Sequence, residues 1–183
     1  MKPKKCKQCG KEFVPMRSTA IACSYRCAKA WVDARSEKLA KQREQIAKKI
    51  DRQLTKERKE ALKTLRDWKK DVQTWCNKYI RLRDADQPCI SCGKHHQGQY
   101  HAGHYLSVGS HPELRFDERN IYKQCAPCNN HLSGNLINYR KRLVELKGQE
   151  LVDWLEGPHE PLKLTIDDCK VLINMFKTKI KEL

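Results

Sequence analysis

Two cysteine pairs, Cys89-x2-Cys92 and Cys125-x2-Cys128, enclose a stretch that carries His101, His104, His111 and Asn120. Asn129, Asn130 and His131 follow directly. Each Cys-x2-Cys pair forms a tight knuckle whose two thiolates point one way, and four thiolates satisfy a tetrahedral structural zinc ion. The 32 residues between the pairs are then held as a loop of defined geometry. Imidazoles and amides crowded into such a loop can hold a metal or move a proton. A second set, Cys6-x2-Cys9 and Cys23-x3-Cys27, has spacing that suits another structural zinc. Cys76 and Cys169 fall in helix-like stretches and read as buried small side chains.

The chain has 183 residues and a formal charge of +16. The charge is uneven: residues 1–72 hold 22 Lys/Arg against 9 Asp/Glu, a net of +13, and the remainder holds 16 against 13. A concentrated basic segment points to a polyanion, nucleic acid first. No stretch approaches the eighteen or so apolar residues of a membrane span. The lysine-rich start MKPKKCKQC has no signal-peptide character. Paired thiols without such a leader favour metal over disulfide and a cytoplasmic location.

Residues 1–28 are too few for a hydrophobic core, so metal must organise them. No proline or glycine lies between Pro15 and Pro88. Good helix formers dominate that span, and Glu37/Lys41 and Glu44/Lys48 stand at i,i+4 with the acid first. The composition predicts a long exposed helix over roughly 30–60, with the thin apolar stripe Leu39, Ile46, Ile50 and Leu54. Leu65, Trp68, Val72, Trp75, Tyr79 and Leu82 then recur at helical spacing and predict a helix that packs on something. Gln99–Ser107 and Asn120–Gln124 read as short strands. A helix is expected after Pro127, carrying Cys128 to about His131, with further helices up to Gly148, over Glu150–Leu155 and after Thr165. There Thr165 and Asp168 have capping-box spacing.

Hairpin then helix, with histidine near the first strand and Asn/His on the helix, is the layout of a ββα-metal nuclease. Phosphodiester hydrolysis needs a deprotonated water in line with the leaving oxygen, and positive charge where that oxygen becomes negative. A neutral histidine supplies the base, one loosely held divalent cation the charge. An amide that fixes the loop backbone keeps the base aimed.

The segment CISCG…AGHY…RFDERNIYKQCAPCNNH resembles the HNH endonuclease motif. Its particular form, with LRFDERN and QC-x2-CN-x-H-x-SGN-x3-YR, resembles the NinG (Rap) family of phage recombination nucleases over roughly residues 60–183. The zinc cluster and basic helix before it fit that family's layout by pattern. The resemblance implies cleavage of branched DNA, Holliday junctions and D-loops, during phage recombination. It implies His104 as general base and Asn120 as a positioning residue. Asn129 falls at the metal-ligand position, with His131 as the alternative, for one catalytic Mg²⁺ or Mn²⁺. The wider HNH pattern often has Asp or His just before the base, where this chain has Gly103. His101 stands as a substitute ligand, a phosphate contact or a surface histidine.

The predicted architecture is therefore α+β and mostly helical. A four-cysteine finger covers 1–30, a long basic helical arm 31–64, and a zinc-stapled HNH nuclease domain with flanking helices 65–183. Arg115, Arg119, Arg140, Lys141, Lys48, Lys49 and Arg52 are candidate DNA contacts. Two structural zinc ions, a DNA partner and a homodimer complete the expectation, the dimer because a four-way junction needs two symmetry-related cuts. Two alternatives stay open: a zinc protein that only binds DNA, and an HNH nickase of ordinary duplex.

Overall fold

The computed structural model describes residues 1–183, which divide into two compact units, Met1–Leu62 and Lys63–Leu183. The first unit opens with a minimal antiparallel pair, β1 (Lys4–Lys5) against β2 (Glu12–Phe13), and continues into α1 (Tyr25–Ala61). The sequence placed the helix start near 30, but it lies at Tyr25. The Ser24 side chain accepts from the backbone N–H of Cys27 and caps the helix. The fourth cysteine of the N-terminal set therefore sits on the helix itself. None of the 37 residues of α1 is buried. At ~1.5 Å per residue the helix is about 55 Å long.

The second unit is built on α2 (Leu65–Arg83) and α5 (Ile166–Lys181). Both start from complete capping boxes, Thr64 with Asp67 and Thr165 with Asp168. The apolar spacing in α2 turns Val72, Cys76, Tyr79 and Ile80 inward against Cys169, Ile173 and Phe176 of α5. Trp68 and Trp75 pack on the same core rather than facing solvent free. The hairpin is β3 (Tyr100–His104) antiparallel to β4 (Ile121–Cys125), with His101 opposite Gln124 and His104 opposite Ile121. Strand alternation separates two faces. Ala102 and Ile121 join the α2/α5 core, while Tyr122 joins a second core of Tyr105, Tyr139, Leu143, Val152 and Leu155. That second core belongs to α3 (Leu136–Lys147) and α4 (Gln149–Glu156).

Asp84, just past α2, anchors the helix to the hairpin. It receives both Nε and Nη2 of Arg83, at 2.7 and 2.9 Å, and the backbone N–H of Lys123 at 3.0 Å. Arg83 also donates to the carbonyls of Glu118 and Ile121. After β4 the expected helix is replaced by one wide turn, Pro127–His131, closed by Leu132 N–H to the Pro127 carbonyl. Ser133, Gly134 and Asn135 then take left-handed backbone, with φ of 46°, 87° and 48°. Three such residues end the turn before a regular helix can propagate, and α3 starts afresh at Leu136.

Candidate metal and catalytic site

The two four-cysteine groups gather as the spacing predicted. In each, the four sulfurs lie within 4.8 Å of one another. Zinc–sulfur bonds of ~2.3 Å in a tetrahedron put sulfurs about 3.8 Å apart. Here Cys9–Cys23, Cys23–Cys27 and Cys92–Cys125 are 3.6, 3.7 and 3.9 Å apart. All ten cysteines are free thiols, so disulfides do not explain the clustering. Hydrogen-bond donors are aimed at the sulfurs of the second set. Cys125 N–H donates to Cys89 Sγ at 3.3 Å and Asn135 Nδ2 to Cys128 Sγ at 3.4 Å. His96 Nε2 lies 3.2 Å from Cys92 Sγ. Such contacts orient and stabilise thiolate ligands.

The thiols push one another apart in acidity. Backbone N–H groups of Cys9 and Cys23 hold Cys6 down to about 6, whereas hydrogen bonds with Cys9 and Cys27 drive Cys23 up to about 12. Burial, with hydrogen bonds to neighbouring thiols, drives Cys125 up to about 12. Four thiols in such proximity cannot all ionise without a cation. The donor chemistry fits two structural zinc ions.

His104 ends β3. Its Nε2 lies 3.0 Å from the backbone carbonyl of Arg115. A carbonyl only accepts, so Nε2 carries the proton and Nδ1 presents the free lone pair. Burial lowers the pKa of His104 from 6.5, and the nearby Arg115 guanidinium lowers it further, against the opposing pull of the Arg115 carbonyl. Arg115 is itself tied to Gln73 Oε1 at 3.0 Å.

Asn120 is fully buried and spans the loop between the strands. Its Oδ1 accepts from Leu106 N–H at 2.8 Å, and its Nδ2 donates to the carbonyls of Leu106 and Leu114 at 3.0 and 3.3 Å. One amide thus fixes both ends of the segment that runs from His104 to the Arg115 carbonyl. Gly103 is made necessary by Gln124: a Cβ there would meet Gln124 Oε1 at 2.2 Å. Gln124 Nε2 donates to Ser91 Oγ and the Gly134 carbonyl, tying the first knuckle and the left-handed segment to the hairpin. Its Oε1 is buried without a hydrogen-bond partner.

His101 and Asn130 meet across the hairpin and the wide turn, Nε2 to Nδ2 at 3.5 Å, and Asn129 Nδ2 donates to Asn130 Oδ1 at 2.8 Å. Sequence reasoning favoured Asn129 and His131 and passed over Asn130. The wide turn at Pro127–His131 carries Asn130 to His101. His131 is exposed and makes no side-chain hydrogen bond. Among the candidate phosphate contacts, Arg119 is engaged by Asp117 at 2.7 Å and stacks 3.5 Å from the Trp154 ring centroid. Arg140 is held by Glu156 at 2.9 Å, and Lys48 by Glu44 at 2.5 Å. Lys141, Lys49 and Arg52 are exposed and free of ion pairs.

The fold and site define a mostly helical protein with two four-cysteine clusters that could each hold a zinc ion, the second at the base of a histidine-bearing hairpin. The family model described as Bacteriophage Lambda NinG protein matches residues 1–183, and the chain belongs to that family. Protein ninG of Escherichia phage 933W is 39% identical over 190 residues, covering 98% of this chain and 93% of the relative. Protein ninG of Escherichia phage lambda is 48% identical over 126 residues, 69% of this chain and 62% of the relative. Protein ninG of Salmonella phage P22 is 47% identical over 126 residues. No solved structure matches the chain.

Proposed function

We propose that this protein is an HNH-type endonuclease that hydrolyses phosphodiester bonds in branched DNA, with His104 as general base. The observation that carries the reading is the hydrogen bond between His104 and the Arg115 carbonyl. It leaves Nδ1 as the basic nitrogen on an imidazole that burial keeps neutral. A base needs that protonation state to take a proton from water at neutral pH. Asn120 acts as a positioning residue: it fixes the loop whose carbonyl orients the ring.

His101, Asn129 and Asn130, with His131 as an alternative, offer imidazole nitrogens and amide oxygens, a donor set that suits Mn²⁺ or Mg²⁺. None carries negative charge, so the scissile phosphate itself completes the neutralisation. A bound cation would stabilise charge on the leaving oxygen. The thin stripe on α1, Leu39, Ile46, Ile50 and Leu54, about half exposed, supports pairing with a second copy, so that two centres serve one junction.

His104→Ala should abolish cleavage of a four-way junction in Mg²⁺ or Mn²⁺ while binding stays within about threefold, since a base acts in the transition state. A second reading, a zinc protein that binds DNA without cutting it, draws on the metal-ligand groupings. Only the two cysteine sets gather three or more His, Cys, Asp or Glu side chains. Wild-type protein that leaves junction, duplex and single-stranded DNA intact in both metals would establish that second reading. Cutting of plain duplex in preference to junctions, by a chain of monomer mass, would leave a nickase.

A further inference from the structure

A cleft of about 530 Å³ opens between the end of α2, the Cys89–Cys92 knuckle, β4 and α3. That volume lies within the ~300–1,000 Å³ of ligand-binding clefts. Neither His104 nor Asn129 nor Asn130 lines it. Its wall carries five cations, Arg83, Arg119, Lys123, Arg142 and Lys147, against two carboxylates, Asp84 and Glu118.

The hydrogen bonds sort these charges. Asp84 is taken by Arg83, and Glu118 is taken by Lys179. Lys123 donates to the Ala85 carbonyl, and Arg119 grips Asp117. Arg142 is different. Its guanidinium packs against Gly93 of the knuckle so closely that a Cβ there would lie 2.8 Å from Nη1. Its Nε is buried with no acceptor, and its only ion pair is a long one, Nη1 to Glu145 Oε2 at 3.9 Å. Lys147 is exposed and unpaired, beside the Tyr122 ring at 5.7 Å. A guanidinium N–H withdrawn from water without an acceptor is costly, and an anionic group entering the cleft would pair favourably with this guanidinium. Beside Gln87, the remaining wall is apolar: Ile90, Pro88, Leu146 and the Tyr122 ring, which also carries the Arg83 guanidinium 4.9 Å from its centroid.

We propose that this cleft binds one unpaired nucleotide of a DNA strand, its phosphate on Arg142 and Lys147 and its base against Tyr122 and the apolar wall. The proposal rests on the nucleic-acid part of the function proposed above and is independent of cleavage. A cleft that accepts a base out of the stack would favour DNA with unpaired or easily unpaired positions over continuous duplex.

The test uses the full-length zinc-loaded protein without added Mg²⁺ or Mn²⁺, so that hydrolysis does not intervene. Thymidine 5′-monophosphate, pentathymidylate and inorganic phosphate are titrated while the Arg142 Nε–H and the Tyr122 and Lys147 amide resonances are followed. The expected result is saturable shifts at all three from the nucleotide and the oligonucleotide, and weaker ones from phosphate. Arg142→Gln should weaken pentathymidylate binding about tenfold or more. Lys147→Glu, on an exposed side chain that folding does not need, should weaken it too. Silence at these resonances, or inorganic phosphate binding as tightly as the nucleotide, overturns the proposal. Junction cleavage measured on the same preparation separates the two ideas: cutting with a silent cleft refutes only the nucleotide site, and a filled cleft without cutting refutes only the nuclease.

Discussion

The two cysteine clusters share a ligand set and almost nothing else. Around Cys6, Cys9, Cys23 and Cys27 the only order comes from a two-residue strand pair and the first turn of a helix that buries none of its residues. Cys9 and Cys23 are exposed. Around Cys89, Cys92, Cys125 and Cys128 the sulfurs form an apolar cluster of their own in the same unit as two hydrophobic cores, and three of the four are buried. One site replaces a core, and the other extends one. A zinc ion in the first would be the fold; in the second it would be one of several things holding the hairpin.

Loss of one ligand from each cluster sets the largest contrast. Cys125→Ser should lower the midpoint of the second unit's cooperative thermal transition, because metal-binding free energy there adds to that of two hydrophobic cores. Cys23→Ser should leave that transition in place and expose only residues before about 30 to protease. Identical melting curves for the two variants would break the comparison.

The next contrast lies between buried and exposed apolar side chains. Phe176→Ala, in the α2/α5 core, should cost about 3–5 kcal/mol in chemical denaturation. Ile46→Ala on α1 should change it by less than about 0.5 kcal/mol in the monomer. A larger loss at Ile46 that depends on protein concentration would sharpen the case for pairing of α1.

The first unit carries 18 Lys/Arg against 7 Asp/Glu, a net of +11. Removing residues 1–62 should weaken binding to every DNA shape and flatten the salt dependence by about 0.9 log units for each phosphate that the shortened chain no longer neutralises. An unchanged slope would make α1 an assembly or spacing device.

The smallest effect is in pH. His104 has a folded-state pKa below the unfolded value of 6.5, so the unfolded chain binds its proton first as pH falls. Its contribution to stability is complete above 6.5 and is lost as pH drops through the lower folded value. Cleavage should therefore hold its plateau down to about pH 6.5 and decline only below it, as rate–pH profiles would reveal. A midpoint above 6.5 would contradict the buried, neutral imidazole.

Much of this was legible in the sequence for a physical reason. Cysteine spacing encodes local knuckle geometry, and helical periodicity encodes which face is buried, so both clusters and the packing faces of α2 and α5 could be read directly. The capping box at Thr165 was legible for the same reason. What escaped reading depends on residues brought together from distant parts of the sequence. The turn at Pro127–His131 is wide rather than helical, and left-handed residues at 133–135 stop it. In that turn Asn130, which the sequence did not single out, lies beside His101. Arg119 and Arg140 looked like free cations, yet each has a carboxylate, Asp117 and Glu156. Arg142 carried no sequence signal, because the burial of its Nε follows from the knuckle packing against α3.

Gly103 and Gln124 have a consequence for how this sequence can change over time. A side chain at 103 would collide with the Gln124 amide, and a shorter residue at 124 would release Ser91 and Gly134 from the hairpin. Neither position can drift alone. A descendant that acquires an acidic residue before the histidine must first, or at the same time, acquire a smaller residue at 124 and a new anchor for the knuckle. Paired substitution at these two sites is thus the expected mark of divergence in this hairpin.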